Sequence, residues 1–153
     1  METEHKQHYS RLAIMIVLSF VAMYVLMYAM VNAFGNVYSN FNQFYMAGLM
    51  TMPMVVIELS LMGMMYQNKK LNAVIVAIAV IFLFLFWVFI RQQVMIGDKQ
   101  FLKSMIPHHA SAILMCEKAP IEDSEIKELC KGIISSQSSE IDQMKRILDR
   151  LEK

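Results

Sequence analysis

The sequence predicts an all-α membrane protein, with three transmembrane helices followed by an extracytoplasmic two-helix hairpin that forms a four-helix bundle by dimerisation. Three observations predict it. Apolar residues make up 57% of the 153 positions, above the usual share for a soluble domain. Between Leu12 and Ile90 the only charged residues are Glu58, Lys69 and Lys70. From Asp98 to Lys153, by contrast, acids and bases alternate throughout. That change marks a boundary between a membrane anchor, residues 1–96, and a hairpin domain, residues 97–153. The net charge of +1, with no basic patch or stripe, argues against nucleic acid as a partner.

A bilayer span asks for roughly 20 mostly apolar residues, and three segments qualify: about 12–34, 44–66 and 71–90. Lys6 and Arg11 give the first a signal-like basic start. Its apolar run is longer than a signal peptide's, and no A-x-A-like cleavage site follows, so it reads as a retained anchor. Lys6, Arg11, Lys69 and Lys70 flank one side of the spans. The other side has the uncharged 35–43 loop and Arg91 alone. The positive-inside rule then places the N-terminus in the cytoplasm and the hairpin outside. In a bacterium this means the cytoplasmic (inner) membrane, with a periplasmic hairpin.

Eleven of the sixteen methionines lie between Met15 and Met65. On the second span Met46, Met50, Met54, Glu58 and Met62 follow at i+4, one drifting ridge on a helix. Thioethers and a carboxylate in a row could line a path for a soft cation. Packing by an adaptable apolar side chain is the plainer reading and takes precedence for the methionines. Glu58 is a separate matter, because an ionisable residue within a span points to a pathway, a pairing or a proton site. Pro53, one turn earlier, would kink the span. The third span is apolar on every face and suits lipid or another subunit, with Trp87 near the outer interface.

Gly97 and Asp98 predict a break and an N-cap for a helix running to about Lys118. A turn follows at 119–122, and Asp123 caps a second helix whose apolar positions, Ile126, Ile133, Ile134, Ile141, Leu148 and Leu151, keep helical spacing to the C-terminus. About 55 residues in two helices bury little apolar surface, so a homo-oligomer, most simply a dimer, is expected.

The segment DKQFLKSMIPHHASAILMC concentrates metal-binding residue types: Met105, His108, His109, Met115 and Cys116. On a helix Met105, His109, Ala112 and Cys116 share roughly 60° of arc, with His108 and Met115 on the adjoining strip. Pro107 bends this projection. Imidazole with thioether favours Cu(I) over Mg or Ca, and zinc is a weaker candidate through His and Cys. Pairing the helices about the turn puts Cys130 level with Cys116, Gln137 level with His109, and Met144 a turn from Met105. Gln137 then suits an outer hydrogen bond to an imidazole or a plain interhelical bond. Cys116 and Cys130 are the only cysteines. Outside the cytoplasm they would form a disulfide staple, and the competing reading is a thiolate pair that binds metal.

DKQFLKSMIPHHASAILM, together with SQSSEIDQM, resembles the domain of unknown function 305 family, over about Asp98 to Leu151. The resemblance implies a ferritin-like-related helical bundle, often associated with copper, in which Met105, His108, His109, Met115 and Met144 are candidate copper ligands. One hairpin is half of a complete four-helix fold, which strengthens the dimer expectation. The three spans lie outside the resemblance.

The expected function is that of a membrane-anchored extracytoplasmic Cu(I)-binding protein in copper tolerance or trafficking, handing metal to another envelope protein and performing no covalent chemistry. Two alternatives are translocation or sensing through the methionine ridge and Glu58, and a purely structural oligomerisation hairpin. A di-iron oxidase is disfavoured, because neither His108 nor His109 has a Glu three residues before it. His5 and His8, at i and i+3, read as solvated residues of a polar tail.

Overall fold

The computed structural model describes residues 2–153, with side chains described from Gln7 onward, and the described residues form helices joined by turns, without a strand. Five α-helices follow in order: α1 (Glu2–Leu26), α2 (Phe41–Leu61), α3 (Lys69–Gln92), α4 (Asp98–Lys118) and α5 (Ser124–Glu152). Two short 3₁₀ turns, Met27–Met30 and Phe34–Asn36, lie between α1 and α2. Three stretches are long and apolar enough to cross a membrane: Gln7–Met30, Phe41–Leu61 and Lys69–Gln92. The chain divides into two units, one of the residues up to Leu26 with Asn42–Val94, the other of Met27–Phe41 with Met95–Lys153.

In the first unit a small interior forms from Leu12, Val55, Leu59, Tyr66 and Ala79. On α2 the inward positions are Ala47, Thr51, Val55 and Leu59, each one turn from the next. The Thr51 hydroxyl donates to the Ala47 carbonyl at 2.7 Å, so the one buried hydroxyl of that strip is satisfied within its own helix. Small residues let helices approach closely. A Cβ placed on Gly48 would lie within 2.7 Å of three atoms of the Phe86 ring on α3. Gly48→Ala is therefore expected to overpack this crossing and destabilise it by about 1–3 kcal/mol. A thermal melt of the detergent-solubilised chain, showing no drop in midpoint, would refute that packing.

Much of α3 remains uncovered: Val80, Ile81, Phe82, Phe84 and Trp87 are all exposed large hydrophobics. Such a surface is tolerable in lipid and not in water. Its start is fixed by Asn68, whose side chain accepts from the Leu71 N–H at 3.0 Å. Its end is unusual. Gln93 and Met95 both take positive φ, 49° and 59°, whereas Gly97 does not. Reciprocal amide bonds between Gln93 and Asn42, at 3.0 and 3.1 Å, hold the strained turn.

The second unit is more than the hairpin expected from the sequence. Helices α4 and α5 run antiparallel and bury Leu102, Ile106, Ala110 and Ile113 against Ile141, Met144 and Leu148. The Asp123 carboxylate accepts from the Glu125 and Ile126 N–H groups at 2.9 and 3.0 Å, the expected cap of α5. Hydropathy alone assigns Met27–Phe41 to the anchor. The structure gathers this connector into the hairpin unit, where Val31 and Tyr38 pack on the α4–α5 core. Connector and α4 are separated in sequence by the second and third spans.

Pro107 explains part of this arrangement. It sits inside α4 without a backbone N–H, which leaves the carbonyl of Lys103, four residues earlier, without its helical donor. Asn40 of the connector, 4% exposed, donates its side-chain N–H to that carbonyl at 3.4 Å. Nearby, the Phe41 N–H donates to the Gln100 side chain at 3.0 Å. Asn40→Ala should cost about 1–3 kcal/mol by stranding a buried carbonyl. Hydrogen exchange of α4 amides around Pro107 reads the effect, and unchanged protection would remove this role.

Candidate metal centre

The pair of histidines follows Pro107 directly, one turn after Met105, and the structure sends the two rings to different surroundings. His109 turns toward α5 and is only 12% exposed in its side chain, whereas His108 is exposed. Their ring centroids are 6.0 Å apart. His109 Nδ1 lies 3.0 Å from the Met105 carbonyl, and Nε2 lies 2.8 Å from a carboxylate oxygen of Glu140. A carbonyl can only accept, so Nδ1 is the protonated donor there. The other nitrogen, Nε2, faces the Glu140 carboxylate.

Glu140 is held from two sides. Its second oxygen accepts from the Ser136 hydroxyl at 2.7 Å. The Ser136 bond first, and the His109 bond after it, hold the Glu140 carboxyl below its ordinary range. This trio ties α4 to α5 across the hairpin, at an exposed edge.

Chemically, an Nδ1–H anchored on a backbone carbonyl fixes ring orientation and makes Nε2 the nitrogen available to a metal. A cation bound at Nε2 would take the place of the contact with Glu140. Among the described residues no three His, Cys, Asp or Glu side chains converge on one point. A complete centre in this chain would draw on thioether sulfur, which suits a soft ion.

Other predicted donors are distributed differently. Met105 packs partly buried against the hairpin core, and Met144 lies within that core, 9% exposed. Met115 is 51% exposed near the turn end of α4, about 15 Å along the helix from Met105 at ~1.5 Å per residue. Cys116 and Cys130 form a disulfide, with Cα atoms 5.2 Å apart. Of the two readings of the cysteines, the structure has the staple, and their sulfurs are not free thiolates.

Gln137 does not meet His109. Its Oε1 is buried without a hydrogen-bond partner, and Glu140, one turn further along the same helix, takes the imidazole. Sequence pairing about the turn was off by that one turn. The signal that could have found Glu140 is its i+4 spacing from Ser136 on the side of α5 that also carries Gln137.

Glu58 also changes its meaning. α2 ends at Leu61 and not near Tyr66, so Glu58 lies in the last turn of that helix. Its carboxylate accepts from the Tyr66 hydroxyl at 3.2 Å. Around Tyr66, the Tyr9 hydroxyl donates to the Asn72 side chain at 2.7 Å, and Asn72 donates to the Tyr66 carbonyl at 2.7 Å. His8, expected as a solvated tail residue, is half-buried with its ring edge-on to Tyr66. The side chain of His5 lies outside the described residues. Met46 and Met50 on α2 and Met62 just after it are exposed, whereas Met54 and Glu58 are half-buried. The ridge is therefore exposed at both ends and partly covered at Met54 and Glu58.

An all-helical chain with three membrane-length helices, ending in a disulfide-stapled hairpin with a His-His pair after proline, defines a class of small tethered helical domains. The chain belongs to the family described as "Domain of unknown function (DUF305)", which it matches over residues 89–148. It is also 37% identical over 143 residues to an uncharacterized protein of Acanthamoeba polyphaga mimivirus, a match that covers 92% of each chain. A match of that extent takes in spans and hairpin together. No solved structure matches the chain.

Proposed function

We propose that this protein is a membrane-anchored metal-binding protein whose hairpin, held outside the cytoplasm, binds Cu(I) for tolerance or for transfer to another envelope protein. The carrying observation is His109, with Nδ1 anchored on the Met105 carbonyl and Nε2 directed outward to a displaceable partner. Met105 and His108 stand within one turn of it. Soft and borderline donors on one helix favour Cu(I), with zinc second. Binding and release need no covalent step, so the protein acts as a carrier and not as an enzyme. Metal translocation by the spans draws less support, because Met46, Met50 and Met62 of the ridge are exposed and the Glu58 carboxylate accepts from Tyr66.

The test is anaerobic Cu(I) titration of the full-length protein beside a His108→Ala/His109→Ala double variant, with circular dichroism to verify folding. Wild type should bind Cu(I), and the variant should lose affinity by about tenfold or more. Equal binding by both, or none by either, would overturn the proposal and leave a structural hairpin with replaceable histidines.

A further inference from the structure

The first 3₁₀ turn, Met27–Met30, has two memberships. It closes the membrane-length stretch Gln7–Met30, yet it folds as the start of the hairpin unit, where it touches α4. Side chains three residues apart on a 3₁₀ turn eclipse one another, so Met27 and Met30 stand on one face of it. Met27 is half-buried and Met30 is 50% exposed. The turn is held in place from its next residues. The Val31 N–H donates to the Tyr28 carbonyl at 3.0 Å, and the Tyr28 hydroxyl donates to the Tyr38 carbonyl at 2.7 Å. Tyr38 in turn packs on the α4–α5 core.

Helix α4 meets this connector on the side that α5 leaves. His109 turns to α5, whereas Pro107, two residues earlier, lies about 160° around the helix and is nonetheless buried. Both 3₁₀ turns of the connector touch α4, and Asn40 reaches the Lys103 carbonyl that the proline left without a donor. The connector is therefore what covers Pro107. His108 projects about 100° from each of its two neighbours, at the margin between α5 and the connector. It is exposed, and among the described residues its imidazole takes no hydrogen bond.

We infer that the Met27–Met30 turn supplies thioether sulfur to His108, and that these three side chains hold Cu(I) between the connector and α4. The inference rests on the Cu(I) reading above and adds donors from outside residues 89–148, the stretch that matches the family. Among the described residues no three His, Cys, Asp or Glu side chains converge, so a three-donor site in this unit needs methionine sulfur. The unit's other methionines are poorly disposed for His108. Met105 and Met144 are engaged in the core, and Met95 precedes α4 altogether. Met115 is about 10 Å along the helix from His108 at ~1.5 Å per residue. Met27 and Met30 are the pair that shares a face, and two thioethers with one imidazole form a donor set for Cu(I). A metal held there ties the connector to α4.

The test uses the full-length protein in detergent, titrated anaerobically with Cu(I). Wild type is compared with His108→Ala, with Met27→Leu/Met30→Leu, with the triple variant that combines them, and with Met115→Leu. Leucine conserves the apolar volume of methionine, and circular dichroism verifies folding. His108→Ala and the methionine pair should each weaken Cu(I) binding by about tenfold or more. Because they serve one site, the triple variant should lose no more than the weaker binder of the two. Met115→Leu should match wild type. Hydrogen exchange gives a reading that needs no methionine variant: Cu(I) should slow the connector amides of residues 31–38 in wild type and not in His108→Ala.

Wild-type affinity in a folded Met27→Leu/Met30→Leu protein would overturn the inference, as would losses that multiply in the triple variant. Connector exchange unchanged by Cu(I) in wild type would overturn it as well. In each of these cases a loss of affinity on His108→Ala would leave copper binding by the histidines standing. A wild type that takes up no Cu(I) would overturn this site and the copper reading together.

Discussion

Replacing Leu148 with alanine is expected to lower the unfolding free energy of the hairpin unit by about 2–5 kcal/mol. Leu148 is 1% exposed and sits in the same cluster as Ile106, Ala110, Ile141 and Met144. Removing its branched end leaves a cavity between α4 and α5 in the interior of the unit. The matched control is Leu129→Ala on the same helix, where the side chain is 61% exposed and the expected change is within about 0.5 kcal/mol. Pulse proteolysis of the two full-length variants in detergent measures the difference. Equal losses would show that the α4–α5 core is not where the unit's stability resides.

Breaking the Cys116–Cys130 bridge should cost about 3 kcal/mol, the loop-closure entropy for cysteines 14 residues apart. The staple lies at the turn end of the hairpin, well along α4 from His109. A Cys116→Ser/Cys130→Ser double variant should therefore melt earlier and still bind Cu(I) with wild-type affinity below its melting range. Loss of copper affinity in a variant that remains folded would instead favour thiolate ligation. The same comparison with a mild reductant in place of the substitutions separates loss of the bond from loss of the sulfur atoms.

Local chemistry was legible in the sequence wherever a residue acts on its own neighbours. Asp123 caps α5 through N–H groups two and three residues on, and hydropathy gave all three membrane-length helices. Boundaries that depend on distant partners were not legible. The second span looked apolar up to Tyr66, yet α2 stops at Leu61 and Tyr66 folds back to bond Glu58. The break after α3 looked like the work of Gly97, yet the left-handed residues are Gln93 and Met95, held by an amide from Asn42. No window of local composition contains that pair.

The site divides in the same way. Histidines beside a proline stand out in any reading of donors, and Met105, His108 and His109 share one helix as expected. Glu140 was missed because its role needs the register between two helices, where one turn of error exchanges it with Gln137. Asn40 was missed for a stronger reason. Its partner is the carbonyl left over by Pro107, 63 residues away, and a backbone atom leaves no signature in sequence.

The dependence of α4 on the connector bears on how the protein is made. Val31, Tyr38 and Asn40 leave the ribosome before the second and third spans have been synthesised, and the helix they support comes after both. The hairpin unit can close only once residues 42–94 have been made and α4 has reached the connector. Until then the Lys103 carbonyl lacks its Asn40 donor and the α4–α5 core lacks Val31 and Tyr38. Completion of this small domain is thus a late event in the making of the chain, and it falls at the turn of helix that carries the histidines.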